Sequence, residues 1–300
     1  MKAILLTRYG GVDGLELREV NEPRPGRGEV RVKVAAASVN PVDWKLRSGA
    51  LKAWMPLELP AVLGRDASGE VAELGPGVTA LKRGDRVFGL AGAAYAQQVV
   101  AAAEALALVP AGLDLIDAAA LPVVVLTGSL LVEEAIRLER GETVLVTGAA
   151  GSVGRVATYE ARRLGARVIA GVRAAQRGPA AELGAERIVA LDREEELEAL
   201  PELDAIADAV GGPTTARLLA RLKAGGRVGS VVGAPPTDRK DIAVRAFVNH
   251  PDAPRLRRLA EAVVRGDLRI PIARRFPLAE AREAQRLAEA GGVGKVLLTM

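Results

Sequence analysis

The order of apolar and polar positions divides the chain into two textures. In roughly the first hundred residues, short runs alternate apolar with charged side chains, as in LELREV (Leu15 to Val20) and the start of EVRVKVAAASVN (Glu29 to Asn40). Gly, Pro and Asp punctuate these runs at NEPRPGRG, ELGPGV and KRGDR. A period of two bounded by turn formers predicts half-buried strands, so this region reads as a small, mostly antiparallel β domain.

From about Ala118, apolar strand-like runs alternate with helical segments. VLVTG precedes a helix over Ser152 to Leu164, ARVIAGV one over Gln176 to Leu183, RIVAL one over Arg193 to Leu200, and LDAIADAV one over Thr214 to Leu222; GRVGSVVG and IAVRAFV then read as strands. Strands separated by short helices predict right-handed βαβ units and a parallel sheet covered on both faces. A helix carrying Leu256, Leu259, Ala260 and Val263 follows, and the terminal KVLLTM reads as a strand returning to the first domain. The expected fold is α/β: a Rossmann parallel-sheet domain over 118–251 and a mostly antiparallel β domain from 1–117 and 252–300. IAVRAFV is the expected edge of the parallel sheet, and an apolar edge invites pairing with a second copy.

The stretch VLVTGAAGSVGRVA, Val144 to Ala157, joins the first parallel strand to its helix through small residues. Ala149, Gly151 and Gly154 fit the positions of the dinucleotide fingerprint, with Ala in place of its first Gly. A residue without a side chain at Gly151 lets backbone amides approach a pyrophosphate, and the helix N-terminus adds partial positive charge. Gly154 lets the helix lie close on the strand. Ala150, Ser152 and Val153 complete the turn. A glycine pattern alone is weak, but a strand before it, a helix after it and further βα units behind it make this a nucleotide site.

The end of the second parallel strand selects the nucleotide. An NAD site wants an acid about twenty residues after the fingerprint, whereas an NADP site wants cations for the 2′-phosphate. Ala161 to Ala181 contains no carboxylate, and the strand runs into GVRAAQR. Arg173 and Arg177 are therefore candidate phosphate ligands, the alternative being a solvated arginine-rich surface. NADPH is the expected cofactor.

Composition removes whole mechanisms. Cys is absent and His occurs once, at His250. This leaves no thiolate nucleophile, no disulfide and no Cys/His zinc site, and no metal is expected. His250, before Pro251, reads as a surface loop residue. The net charge is +4 and aromatic residues make up 3%, with no basic tract carrying stacking platforms, so no nucleic-acid partner is expected. No signal segment follows Met1 and no apolar run reaches the length of a bilayer span. The expectation is a soluble cytoplasmic protein.

The blocks SVNPVDWKLRSG, LGRDASGEVAELGPGVTALKRGDRVFG, AYAQQVV, LPVVVLTG, VTGAAGSVG, DAVGG, LKAGGRVGSVVG and GGVGKVLL, in this order, resemble the medium-chain dehydrogenase/reductases, in their zinc-independent, zeta-crystallin-like branch of quinone and enone oxidoreductases. The resemblance implies a GroES-like substrate domain, a Rossmann cofactor domain, an active site between them and a homodimer. It implies reduction of a quinone, or of an α,β-unsaturated carbonyl such as an enone or 2-alkenal, by hydride from NADPH. By the same resemblance, Asn40 lies beside the nicotinamide, Thr127 lies beside its ring, Phe247 and Val248 belong to a segment whose backbone bonds the carboxamide, and Gly294 and Lys295 lie near the cofactor. Ser129 stands where a bulky residue is usual, which implies a more open pocket. Lys45 stands where many quinone reductases have Tyr and resembles the plant enone-reductase branch, which favours enones.

Hydride delivery to the β-carbon of an enone builds enolate charge on oxygen, and a cation aimed there is the electrostatic contribution an enzyme can make. Lys45, the nicotinamide ribose hydroxyl, or both are the candidate donors, with Asn40 positioning the ring and water protonating the α-carbon. Blander readings stand beside these: the Lys45 stem covers apolar surface, Asn40 is a turn residue before Pro41, and Asp43 and Asp66 make structural hydrogen bonds instead of forming a catalytic pair. Tyr95 either approaches the cleft or packs. A second class of function is an NADPH-binding protein with little turnover, redox-sensing or crystallin-like.

Overall fold

A computed structural model of the protein describes residues 1–292 and 294–300. The chain forms two compact units, Met1–Val123 with Pro251–Met300, and Val124–His250. The sequence texture changes at 117/118 and 251/252. The first unit reaches six residues further because the Val123 N–H donates to the buried Asp66 carboxylate at 2.7 Å.

The first unit opens with β1 (Lys2–Leu6), β2 (Leu15–Glu19) and β3 (Glu29–Val39), followed by helix α1 (Pro41–Ser48). Next come β4 (Ala61–Val62), β5 (Asp66–Leu74), β6 (Arg86–Leu90), β7 (Gln98–Ala102), β8 (Leu106–Leu108) and α2 (Leu115–Ala118). Helix α3 (Pro122–Leu130) runs across the division into the second unit. The second unit continues with β9 (Thr143–Thr147), α4 (Ser152–Arg163), β10 (Arg167–Val172), α5 (Arg177–Ala180), β11 (Arg187–Ala190), α6 (Glu194–Glu198), β12 (Leu203–Asp208), α7 (Gly212–Leu218), β13 (Leu222–Ser230) and β14 (Ala243–Ala246). The chain returns to the first unit with α8 (Ala253–Val264), β15 (Ile272–Pro277), α9 (Ala281–Ala290) and β16 (Lys295–Thr299).

In the first unit β2, β1 and β4 form one antiparallel sheet; a larger sheet runs β15-β16-β3-β5-β6-β8, with β7 also paired to β3. Its pairs are antiparallel except β15 with β16. The final strand, expected to return, pairs Val296 with Val39 and Leu298 with Ala37. Along β3, Val30, Val32 and Val34 are buried while Lys33 is exposed, so the period of two read in the sequence is the core face of the sheet.

In the second unit the order β11-β10-β9-β12-β13-β14 is that of a doubly wound dinucleotide-binding sheet, parallel throughout, with β14 at one edge. Val144 and Val146 face one apolar cluster with Ala157 and Ala161 of α4, while Leu145 faces another with Leu197 and Leu218. Both faces are covered, which is why these strands read as unbroken apolar runs. The segment Gln176 to Leu183 is not one helix: Gly178 and Pro179 keep it to a four-residue helix flanked by 3-10 turns. Helices α1 and α9 carry no counterpart among the sequence expectations; both are short, and α9 packs on the first unit's core through Ala281 and Ala284.

Candidate functional site

The glycine turn occupies the junction of β9 and α4. Gly148 has φ +62°, and a Cβ on Gly154 would stand 2.2 Å from the Gly148 carbonyl oxygen, so this position requires glycine. Gly151 is the N-cap of α4 and no side chain caps the helix. The amides of Ser152, Val153 and Gly154, which have no carbonyl a turn earlier, are therefore not taken by a capping residue. Ala149 is fully buried and its N–H donates to the Gly171 carbonyl at 3.1 Å, so it shapes the turn from within. Ala150 and Val153 are half-buried, and Gly151 is exposed. Arg155, which the sequence reading passed over, is buried and braces the turn: its guanidinium donates to the Ala150 carbonyl at 3.0 Å and pairs with Glu182 at 2.6 Å.

The cation pair beyond β10 separates into two roles. Arg173 is exposed at the strand's end, and among the described residues its guanidinium has no side-chain partner. Arg177 pairs with Glu196 and donates to the Ile188 carbonyl, so its charge is already answered within the protein. Glu196 also accepts the Ala190 N–H and Asp192 accepts that of Ala174, which stitches the loop to the end of β11. Arg177 thus braces the loop in this structure, and its phosphate role stays an expectation.

Thr127 lies half-buried on α3, and its hydroxyl accepts from the Asn249 amide at 3.0 Å. The next residue, Gly128, is where α3 meets the first turns of α4: a Cβ there would stand 2.7 Å from the Val153 carbonyl and 2.6 Å from the Val156 side chain. Asn249 is a second residue the sequence did not offer. Phe247 is half-buried with its N–H donating to the Ser230 carbonyl, and Val248 is 81% exposed. Ser129, where a more open pocket was expected, is fully buried and donates to Glu160 at 3.0 Å. His250 is exposed and lies 3.1 Å from Glu134.

The first unit holds its candidates in a buried polar cluster. Asn40 is fully buried; its Nδ2 donates to Asp66 Oδ2 at 2.8 Å, and its Oδ1 accepts from Lys295 Nζ at 2.7 Å. Ser38 also donates to Asp66. Lys295 is 5% exposed and lies 3.8 Å from Asp66, and burial holds its ammonium below the usual lysine range against the pull of Asp66 and Asp43. Gly294, whose Cβ would stand 2.3 Å from the Pro271 carbonyl, allows the strand to approach there. Asp43 accepts the Asn40 N–H at 2.8 Å and the Tyr95 hydroxyl at 2.9 Å. Burial pushes its carboxyl up to about 7, against the pull of these two donors. Burial, and then the Asp43 charge, raise the Tyr95 hydroxyl well above its ordinary value.

Lys295 and Asn40 bond each other and Asp66. Asp43 and Asp66 make structural hydrogen bonds, the reading the sequence favoured, and Tyr95 is fully buried. Lys45, by contrast, is half-buried on α1, and among the described residues its ammonium has no partner. No group of three or more His, Cys, Asp or Glu that could hold a metal occurs among the described residues.

A scan against family models matches residues 26–111 to the alcohol dehydrogenase GroES-like domain and 183–298 to the zinc-binding dehydrogenase domain. The chain is 30% identical to acryloyl-coenzyme A reductase of Metallosphaera sedula over the full length of both. It is 33% identical to quinone oxidoreductase of Pseudomonas aeruginosa over 94% of each chain. Among solved structures, Escherichia coli quinone oxidoreductase complexed with NADPH superposes with a TM-score of 0.87 at 26% identity, covering all of both chains. A GroES-like first unit, a doubly wound second unit and relatives that match along the whole chain agree with one another: the protein belongs to the medium-chain dehydrogenase/reductases, in their quinone oxidoreductase family.

Proposed function

We propose that the protein is an NADPH-dependent oxidoreductase that reduces a quinone or an activated carbon–carbon double bond, without a metal. The observation that carries this reading is the pairing of an uncapped α4 N-terminus at a glycine turn with an end of β10 that bears Arg173 and no acid. The residues fit the cofactor: the close approach at Gly154 and the open amides suit a pyrophosphate, and Arg173 suits a 2′-phosphate. The relatives' activities, on an acryloyl thioester and on quinones, support an electron-poor conjugated acceptor.

NADPH supplies the hydride when bound. Lys45 donates to the acceptor's carbonyl oxygen as enolate charge develops there. Asn40, fixed by Lys295 and Asp66, sets the start of α1 and hence the base from which Lys45 projects. Solvent supplies the proton at the α-carbon, or at the second oxygen of a quinone. Lys45 as the donor favours enones.

We further propose a cytoplasmic homodimer that pairs through β14, an edge strand with Ala243, Arg245 and Ala246 exposed. Among the described residues no helix is long and apolar enough to cross a membrane.

The test is titration with NADPH and NADH, followed by stopped-flow NADPH oxidation with 9,10-phenanthrenequinone and a short 2-alkenal. NADPH preference with turnover is expected. Arg173→Ala is expected to weaken NADPH about tenfold, roughly 1.4 kcal/mol, and to leave NADH unchanged. Lys45→Ala is expected to cost about 100-fold in kcat, roughly 3 kcal/mol, with cofactor affinity intact. Tight NADPH binding with a silent acceptor panel would replace the enzyme by a binding protein.

A further inference from the structure

Among the described residues of the second unit, the large apolar side chains left exposed are three valines: Val210 at 56%, Val232 at 44% and Val248 at 81%. They are not scattered. Asp208, Ser230 and Ala246 end β12, β13 and β14, and the register aligns Asp208 with Ser230 and Ser230 with Ala246. Each valine stands two residues beyond its strand's end, so the three follow one another along the carboxyl edge of the sheet.

The row begins where strand order reverses, between β9 and β12, the crevice in which doubly wound sheets take their ligands. Val210 overlies the glycine turn, its Cγ2 only 2.8 Å from where a Cβ on Gly148 would be. Val232 covers Gly211 in the same way, at 2.5 Å. Apolar surface left in water at this place is a docking surface continuous with the nucleotide cradle.

Beneath the first two valines lies a carboxylate, the Asp of the DAVGG block, to which the sequence assigned no role. Asp208 is fully buried. Its Oδ1 accepts from the hydroxyls of Thr147 at 2.7 Å and Thr215 at 2.9 Å, and from the amides of Val210 at 3.2 Å and Gly211 at 3.0 Å. Its Oδ2 accepts from the Ser230 hydroxyl at 2.8 Å. The Thr147 and Ser230 oxygens in turn accept the amides of Ala209 and Val232. One buried carboxylate therefore fixes the backbone around Val210 and, through Ser230, the amide of Val232, and ties both to the last residue of β9. Such a fully satisfied network rigidifies what it holds.

We infer that Asp208 is a positioning residue that holds Val210 and Val232 as the surface against which the nicotinamide-bearing half of NADPH packs. This rests on the NADPH reading above. Arg173 at the end of β10 takes the phosphate-bearing adenosine half. A cofactor crossing the glycine turn from there extends to the β12 side, where the flat, weakly hydrated ring faces meet valines. Asp208 touches no cofactor and acts through the loop.

The experiment compares NADPH with 2′,5′-ADP, which keeps the phosphates and lacks the nicotinamide, by isothermal titration on protein whose folding is checked by thermal melting. Val210→Glu and Val232→Glu sit on the surface and are expected to raise the NADPH Kd about tenfold or more while moving that of 2′,5′-ADP by less than about twofold. Asp208→Ala is expected to give the same selective loss, and Asp208→Asn, which keeps an acceptor in the same shape, to recover most of it. Unchanged NADPH affinity in the folded valine variants, or equal loss for both ligands, would overturn the inference. Wild-type protein that binds neither ligand would remove the proposed function itself.

Discussion

Both units bury charge, the second at Asp208, Glu160 and Arg155, and both leave some large apolar side chains exposed, but they differ at their candidate sites. The first buries charge: Asp43, Asp66 and Lys295 lie in its interior with Asn40, Ser38 and Tyr95, and answer one another. The second leaves apolar side chains and helix amides open, at Val210, Val232 and Val248 and at the start of α4. Polar groups that satisfy one another inside a core are held in place and are unavailable to a ligand, whereas unsatisfied amides and exposed valines wait for one. In the proposed function the first unit's cluster accordingly supports Lys45, and the cofactor goes to the second unit's open edge.

The sharpest way to break this contrast is to unbalance the buried cluster. Lys295→Met removes the cation beside Asp66 and the donor to Asn40, and should cost about 3–5 kcal/mol of stability, the usual loss when one member of a buried pair goes. Urea denaturation measures it, and a loss below about 1 kcal/mol would mean that the cluster does not hold the first unit.

An intermediate effect is expected in the second unit. Gly154→Val puts a side chain onto the Gly148 carbonyl, so the turn must open; a loss of about 1–3 kcal/mol is expected, with NADPH affinity falling alongside. A variant with unchanged affinity would show that the close approach is unrelated to binding.

The smallest effect is a change of slope with pH. Because the Asp43 carboxyl is raised in the folded protein, that state binds more protons than the unfolded chain between its ordinary value, near 4, and about 7. Asp43 therefore contributes stability that is fully present at low pH and lost as pH rises through this window. Asp43→Asn should flatten the wild-type fall, read from unfolding at pH 4.5 and pH 7.5. Parallel profiles for the two proteins would show that burial does not hold the carboxyl up.

Much of the fold was legible because it is periodic. Alternation along β3, unbroken apolar strands from β9 onward and the intervening helices follow from spacing alone. The glycine turn was legible for a different reason: Gly148 and Gly154 answer local backbone demands that only glycine meets. The site was less legible. Ser129, expected to open a pocket, bonds Glu160, and Arg177, expected to meet a phosphate, pairs with Glu196. In each case the partner lies many residues away, and no local pattern announces it.

By itself, then, the sequence determined the class of fold, the family and the cradle for a nucleotide, since these depend on period, composition and residues close in the chain. Tertiary structure decided which polar groups remain available. Asn40, Lys295 and Asp66 come from three separated segments, and Val210, Val232 and Val248 follow three different strands. Burial and exposure are properties of neighbours, and in this molecule the neighbours are supplied by strand pairing across the chain.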